Sequence, residues 1–122
     1  MEPKTTLSTI YVVSNSSDEV TLDLIVKPEG QTATSEIKLD SVVLSDDETG
    51  SVYDFPIGPN AGIKDRKMVI STTISNTTDE EVEQELVINI NGGVIPFSDT
   101  LGNTVDAGDS ETYYIEVDFI GL

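Results

Sequence analysis

Ile10-Tyr11-Val12-Val13-Ser14-Asn15-Ser16-Ser17-Asp18-Glu19-Val20-Thr21-Leu22-Asp23-Leu24 sets a cluster of small polar, turn-forming residues between two apolar, β-branched runs. From Val20 onward apolar and polar residues alternate, the period of a strand with one buried face. Two such runs flanking a short polar cluster read as a β-hairpin. The pattern then returns about half the chain away, where Ser14-Asn15-Ser16-Ser17-Asp18-Glu19-Val20 is echoed by Ser75-Asn76-Thr77-Thr78-Asp79-Glu80-Glu81-Val82. Fainter matches follow in the same order: Leu39 and Val43 with Leu101 and Val105, and Asp54-Phe55 with Asp118-Phe119.

The rest of the chain keeps this character. Pro28-Glu29-Gly30 stops the second strand by removing an amide donor and permitting positive φ. Ile37-Lys38-Leu39 leads into Val42-Val43-Leu44, and an acidic turn from Asp46 to Gly50 precedes Val52-Tyr53-Asp54-Phe55. Pro56, Gly58, Pro59, Asn60 and Gly62 form the densest group of breakers and read as the connector between halves. Asn91-Gly92-Gly93 makes a tight turn, and Tyr113, Ile115, Val117 and Phe119 alternate through a final strand in which adjacent Tyr113 and Tyr114 face opposite sides, placing one of them outside. No stretch has the spacing of a helix. These features predict one all-β domain over residues 1–122, an antiparallel β-sandwich of seven to nine strands in two pseudo-symmetric halves, with an internal repeat of 1–61 and 62–122.

Twenty-three acidic side chains against six basic ones give a formal charge of −17, spread along the whole chain. Binding to nucleic acid is driven by Lys and Arg displacing counterions, so nucleic acid is excluded as a partner, and anionic membranes likewise. Cysteine, histidine and tryptophan are all absent. That removes disulfides, thiolate chemistry, the commonest general base and the commonest transition-metal ligand. The start, Met-Glu-Pro-Lys-Thr-Thr, lacks a signal-peptide pattern, and no apolar run approaches the length of a membrane span.

Ile70 to Asp79, the run from Val82 to Ile90, and Val105-Asp106-Ala107-Gly108-Asp109-Ser110-Glu111-Thr112 before an alternating strand resemble the immunoglobulin-like β-sandwich modules of bacterial and archaeal surface and adhesion proteins. The resemblance covers about residues 66 to 120. It implies a scaffold for binding or spacing, with no shared catalytic residues to carry over.

Candidate sites are few. Asp46, Asp47 and Glu48 in one acidic turn, and Asp106, Asp109 and Glu111 in the other, supply the oxygen ligands that Ca²⁺ takes, although neither has DxDxDG spacing and solvated turn residues account for them without a metal. Paired carboxylates could also serve a glycosidase, but in so acidic a chain a suitable pair arises without selection. Asn15-Ser16-Ser17 and Asn76-Thr77-Thr78 match N-glycosylation acceptors and are equally turn residues. Lys64, Arg66 and Lys67 hold half of the basic charge. They either neutralise the chain's own acids at a strand entrance or form a protein contact with an acidic patch on another copy, guarding an edge strand. The reading that follows is a non-catalytic structural or interaction module of a virion or extracellular assembly, with other protein subunits as partners in a homo-oligomer or larger array and no cofactor unless Ca²⁺. A calcium-dependent or glycan-directed binding module is the alternative.

Overall fold

A computed structural model describes residues 3–122; Met1-Glu2, part of the N-terminal segment read above, lie outside the described residues. Among the described residues nine strands run in chain order: β1 Thr6–Val13, β2 Glu19–Lys27, β3 Thr32–Leu39, β4 Val42–Thr49, β5 Val52–Pro59, β6 Lys67–Ser75, β7 Val82–Asn91, β8 Phe97–Val105 and β9 Ser110–Gly121. A single helical turn, α1 (Asn60–Ile63), lies between β5 and β6. The strands form a five-stranded sheet in the order β1-β9-β6-β3-β4 and a four-stranded sheet in the order β5-β2-β7-β8. The protein is therefore the all-β sandwich expected. One ladder departs from the antiparallel expectation: β1 runs parallel to β9, pairing Thr6 with Tyr114 and Val13 with Gly121.

The alternation seen in the sequence becomes two inner faces packed on one another. Val20, Leu22 and Leu24 of β2 and Leu86, Ile88 and Ile90 of β7 meet Ile70 and Ile74 of β6 and Ile115, Val117 and Phe119 of β9, all buried. Tyr11 closes one end of this core, edge-on to Phe119 with ring centroids 6.2 Å apart. Its hydroxyl accepts the Gly93 amide at 2.9 Å. A Cβ on Gly93 would collide with the Tyr11 ring, and one on Gly92, at φ 98°, with the Glu19 carbonyl, so the turn after β7 requires both glycines.

The polar clusters that read as hairpin turns are crossovers. β1 pairs with β9 and β2 with β5 and β7, so residues 14–18 carry the chain from one sheet to the other, and residues 76–81 do the same between β6 and β7. Strands that face each other across a sandwich bury one side each, as hairpin strands do, so alternation cannot separate the two cases. The local geometry of the two corners matches closely. At the first, the Ser16 amide donates to Ser14 Oγ at 3.2 Å and the Asp18 amide to Ser16 Oγ at 3.3 Å. At the second, the Thr78 amide donates to Asn76 Oδ1 at 3.0 Å and the Glu80 amide to Thr78 Oγ1 at 3.4 Å. Ser14, rather than Asn15, is thus the counterpart of Asn76.

Similarity of connection ends after the second strand. β2 leads across to β3 in the other sheet, whereas β7 leads by a hairpin to β8 in its own. Leu39 and Leu101 fall in different sheets, as do Phe55 and Phe119, so the expected superposition of two whole halves is replaced by one recurring corner. Asn76 is buried and its amide donates to the carbonyls of Glu80 and Val105, while Asn15 is exposed. Asn76→Ala is expected to cost about 3 kcal/mol, because two carbonyls lose their donor, and to lower Tm by on the order of 10 °C. Asn15→Ala should stay within about 0.5 kcal/mol in the same thermal melt.

Candidate functional site

The first acidic group is not a turn. Asp46, Asp47 and Glu48 lie within β4, where a register shift sets Asp46 and Asp47 against the single residue Glu36 of β3. A bulge of this kind lets a polar stretch remain in a strand, which is why its composition reads as a loop. Asp47 and Glu48 both accept from Ser45 Oγ at 3.3 Å, and Asp46 and Asp47 face solvent. The second group is the turn expected: the Asp109 amide donates to the Asp106 carbonyl at 3.0 Å, and Glu111 opens β9. Glu111 is occupied, accepting from Asn103 Nδ2 at 2.6 Å. Among the described residues, no group of three or more acidic side chains is placed to hold a metal ion.

Lys64, Arg66 and Lys67 lead into β6, which lies in the interior of its sheet between β9 and β3, so they do not guard an edge. Arg66 Nε donates to Asp40 Oδ2 at 2.7 Å, and Lys67 Nζ lies 3.9 Å from Glu116 and 4.0 Å from Asp118. The Arg66 guanidinium, with the Lys67 amide, holds the Asp40 carboxyl below its ordinary value. Lys64 lies along the backbone of Gly121. Arg66 and Lys67 thus meet the chain's own acids, the first of the two readings above.

A concavity of about 620 Å³ was not marked by any motif. It sits on the outer side of the four-stranded sheet, where Ile25 and Tyr53 form apolar walls beside Glu29, Glu83 and Glu85. Tyr53 is 62% exposed. The signal in the sequence was its position: next to buried Val52 in a strand, Tyr53 has to point outward. Of the adjacent pair on the other sheet, Tyr114 is the one that points outward, while Tyr113 turns inward. Of the two glycosylation motifs, Asn76 is committed to the fold and only Asn15 is accessible.

Tyr113 donates to Gln84 Oε1 at 3.0 Å, and Gln84 Nε2 donates to the Ile74 carbonyl at 3.2 Å and to Gln31 Oε1 at 3.1 Å. This polar chain crosses the core between the sheets. Burial, reinforced by the charge of Glu111, pushes the Tyr113 phenol up to about 12. Tyr11 is also raised, by burial, partly offset by the Gly93 amide. Compared with known proteins, the chain matches no family model, no curated protein and no solved structure.

Because an unfolded tyrosine loses its proton near pH 10, the unfolded chain sheds protons first between about pH 10 and 12, and stability falls as pH rises through that window. Tyr113→Phe should flatten most of this slope in denaturant titrations, leaving the smaller part due to Tyr11. At neutral pH it should cost about 1–2 kcal/mol, since the Gln84 carbonyl loses its donor.

Proposed function

We propose that this chain is a non-catalytic structural or interaction module, a building block of a virion or extracellular assembly. The observation that supports it is where charge is missing. In a chain of formal charge −17, residues 5–17 and 86–98 carry no charged side chain. These two runs meet at one corner of the sandwich, where the Val94 amide donates to the Val12 carbonyl at 3.1 Å. There Ile10 is 57%, Val94 43% and Ile95 70% exposed, with Ile120 the register partner of Val12. An apolar patch set in an acidic surface has the core-and-rim character of a protein–protein interface.

A glycan-directed or calcium-dependent binding module is the second reading, favoured by the concavity around Tyr53, where an exposed ring and carboxylates suit a sugar. Sedimentation separates the two. The proposal expects self-association without added ligand, weakened by Ile95→Lys, and equal thermal shifts in CaCl₂ and NaCl of matched ionic strength. It is overturned by a chain that stays monomeric and either gains Tm from calcium beyond the sodium effect or binds an oligosaccharide in a way that Tyr53→Ala abolishes.

A further inference from the structure

β2 runs through the concavity around Tyr53. Beyond Leu24, the last residue paired with β5, the strand continues to Lys27 with its ladder to β7 alone. On the other side the Val26 amide donates to Ser51 Oγ at 2.9 Å. The N–H and C=O of a strand residue point the same way, so the Val26 carbonyl faces that side too, and no donor among the described residues reaches it. Glu83 and Glu85 of β7 and Glu29 after β2 bring three carboxylates against the single ammonium of Lys27, and none of the three forms an ion pair among the described residues. Tyr53 stands across from them on β5, 62% exposed, with Ile25 between.

A ligand suited to this lining brings donors and positive charge and needs few donors in return. A neutral sugar fits it poorly, because each hydroxyl both donates and accepts. A bare metal ion fits it poorly as well, since among the described residues no three acidic side chains converge to hold one. A guanidinium fits. It carries five N–H donors and no acceptor, stacks its plane on an aromatic face and sheds water more readily than an ammonium. The width agrees: Tyr53 and Glu85 stand on the strands either side of β2, two strand spacings or roughly 10 Å apart at the backbone. A side chain laid over Ile25 therefore has a ring on one flank and a carboxylate on the other.

Resting on the interaction-module reading above, we propose that this concavity receives an arginine side chain from a different protein. Its methylenes cover Ile25, its guanidinium lies against the Tyr53 ring, and its N–H groups go to Glu85, Glu83 and the Val26 carbonyl, with Glu29 adding to the negative field. A second copy is a poor source, because Arg66 is the chain's only arginine and its Nε is committed to Asp40 at 2.7 Å. The formal charge of −17 draws a basic partner in from a distance, and the ring and the planar fork of donors then favour arginine over lysine. This site lies at the Glu83 end of β7, whereas the uncharged corner lies beyond Asn91 at the other end. One module thus has separate places for a like copy and for an unlike, basic partner.

Titration of the whole chain with acetyl-Gly-Arg-Gly-amide, followed in amide NMR spectra, tests this. Saturable shifts are expected at residues 25–29, 51–53 and 83–85, with a Kd at least about threefold below that of the lysine counterpart and rising as NaCl is added. Tyr53→Ala should raise Kd about fivefold, and Tyr53→Phe should keep it within about twofold, since the ring rather than the hydroxyl is used. Glu83→Gln with Glu85→Gln should raise it about tenfold; Asp46→Asn with Asp47→Asn, the same charge change on the other sheet, should stay within about twofold. The arginine site is wrong if shifts are absent or spread over the whole acidic surface, if both charge-removing pairs weaken binding equally, if the lysine peptide binds as tightly, or if an oligosaccharide moves these residues and the arginine peptide does not. Sedimentation reads the corner independently. A parent that self-associates through Ile95 but ignores the peptide overturns the arginine site and leaves the module reading standing, whereas a monomer that binds the peptide keeps this site and removes the corner contact.

Discussion

A chain that leaves one sheet and enters the other turns through a corner where neither ladder can take its backbone donors and acceptors, and those groups have to find partners locally or remain buried and unpaired. Two asparagines meet this constraint. Asn60, in the helical turn, donates to the carbonyls of Asp18 and Gly92 and accepts the Ser14 amide, tying the first crossover to the end of β7. Asn76 donates to Glu80 and Val105 and ties the second crossover to the end of β8. Both side chains are buried, and both link a corner to a strand remote in sequence. With the corners held, the two inner faces are brought to a common separation, and the aliphatic side chains of both pack into one buried cluster.

The polar chain of Tyr113, Gln84 and Gln31 belongs to the same logic. Gln84 occupies an inward position of β7 that an aliphatic residue would fill in a uniform core, and it joins both sheets through directed bonds rather than contact alone. Such groups stabilise little when satisfied and destabilise much when broken, so they favour one register of the sheets over its neighbours. Charge plays the complementary part outside. Among the described residues, Lys4, Lys38, Arg66 and Lys67 pair with acids on the surface. Each is exposed, so water and salt screen the attraction and the pairs add little to stability. The remaining acids are solvated and keep most of the surface from associating, which leaves the uncharged corner conspicuous.

Alternation of Val20, Leu22 and Leu24, and of Tyr113, Ile115, Val117 and Phe119, made the strands and their buried faces legible, because period two survives whatever a strand pairs with. Partnership was not legible for the same reason. Residues 14–18 join sheets while 92–96 join neighbours in one sheet, yet both are short polar or glycine-rich segments between apolar runs. The echo between Asn15 and Asn76 was genuine as a corner and wrong by one residue, since a Ser hydroxyl at 14 does the work that the Asn oxygen does at 76. Asn60 supplies what the first corner then lacks, and nothing in its Pro-Asn-Ala-Gly setting marks it as a core residue. Asp46 and Asp47 looked like a loop because a bulged edge strand and a loop share the same polar composition. The charge-free run from Thr5 to Ser17 was visible as composition, but its place at a corner of the sandwich depends on β1 lying beside β9, a strand remote in sequence.

That contact has a mechanical consequence. Because β1 and β9 run parallel, the chain enters β1 beside Tyr114 and leaves β9 beside Val13, at opposite ends of the sandwich. Tension applied through the two ends acts along both strands in opposite directions and loads the whole β1–β9 ladder in shear, so its hydrogen bonds must fail together instead of opening one by one. Resistance to pulling is then governed by the rate at which this single ladder ruptures rather than by overall stability. A sandwich with its first and last strands antiparallel would peel apart from one end under the same load.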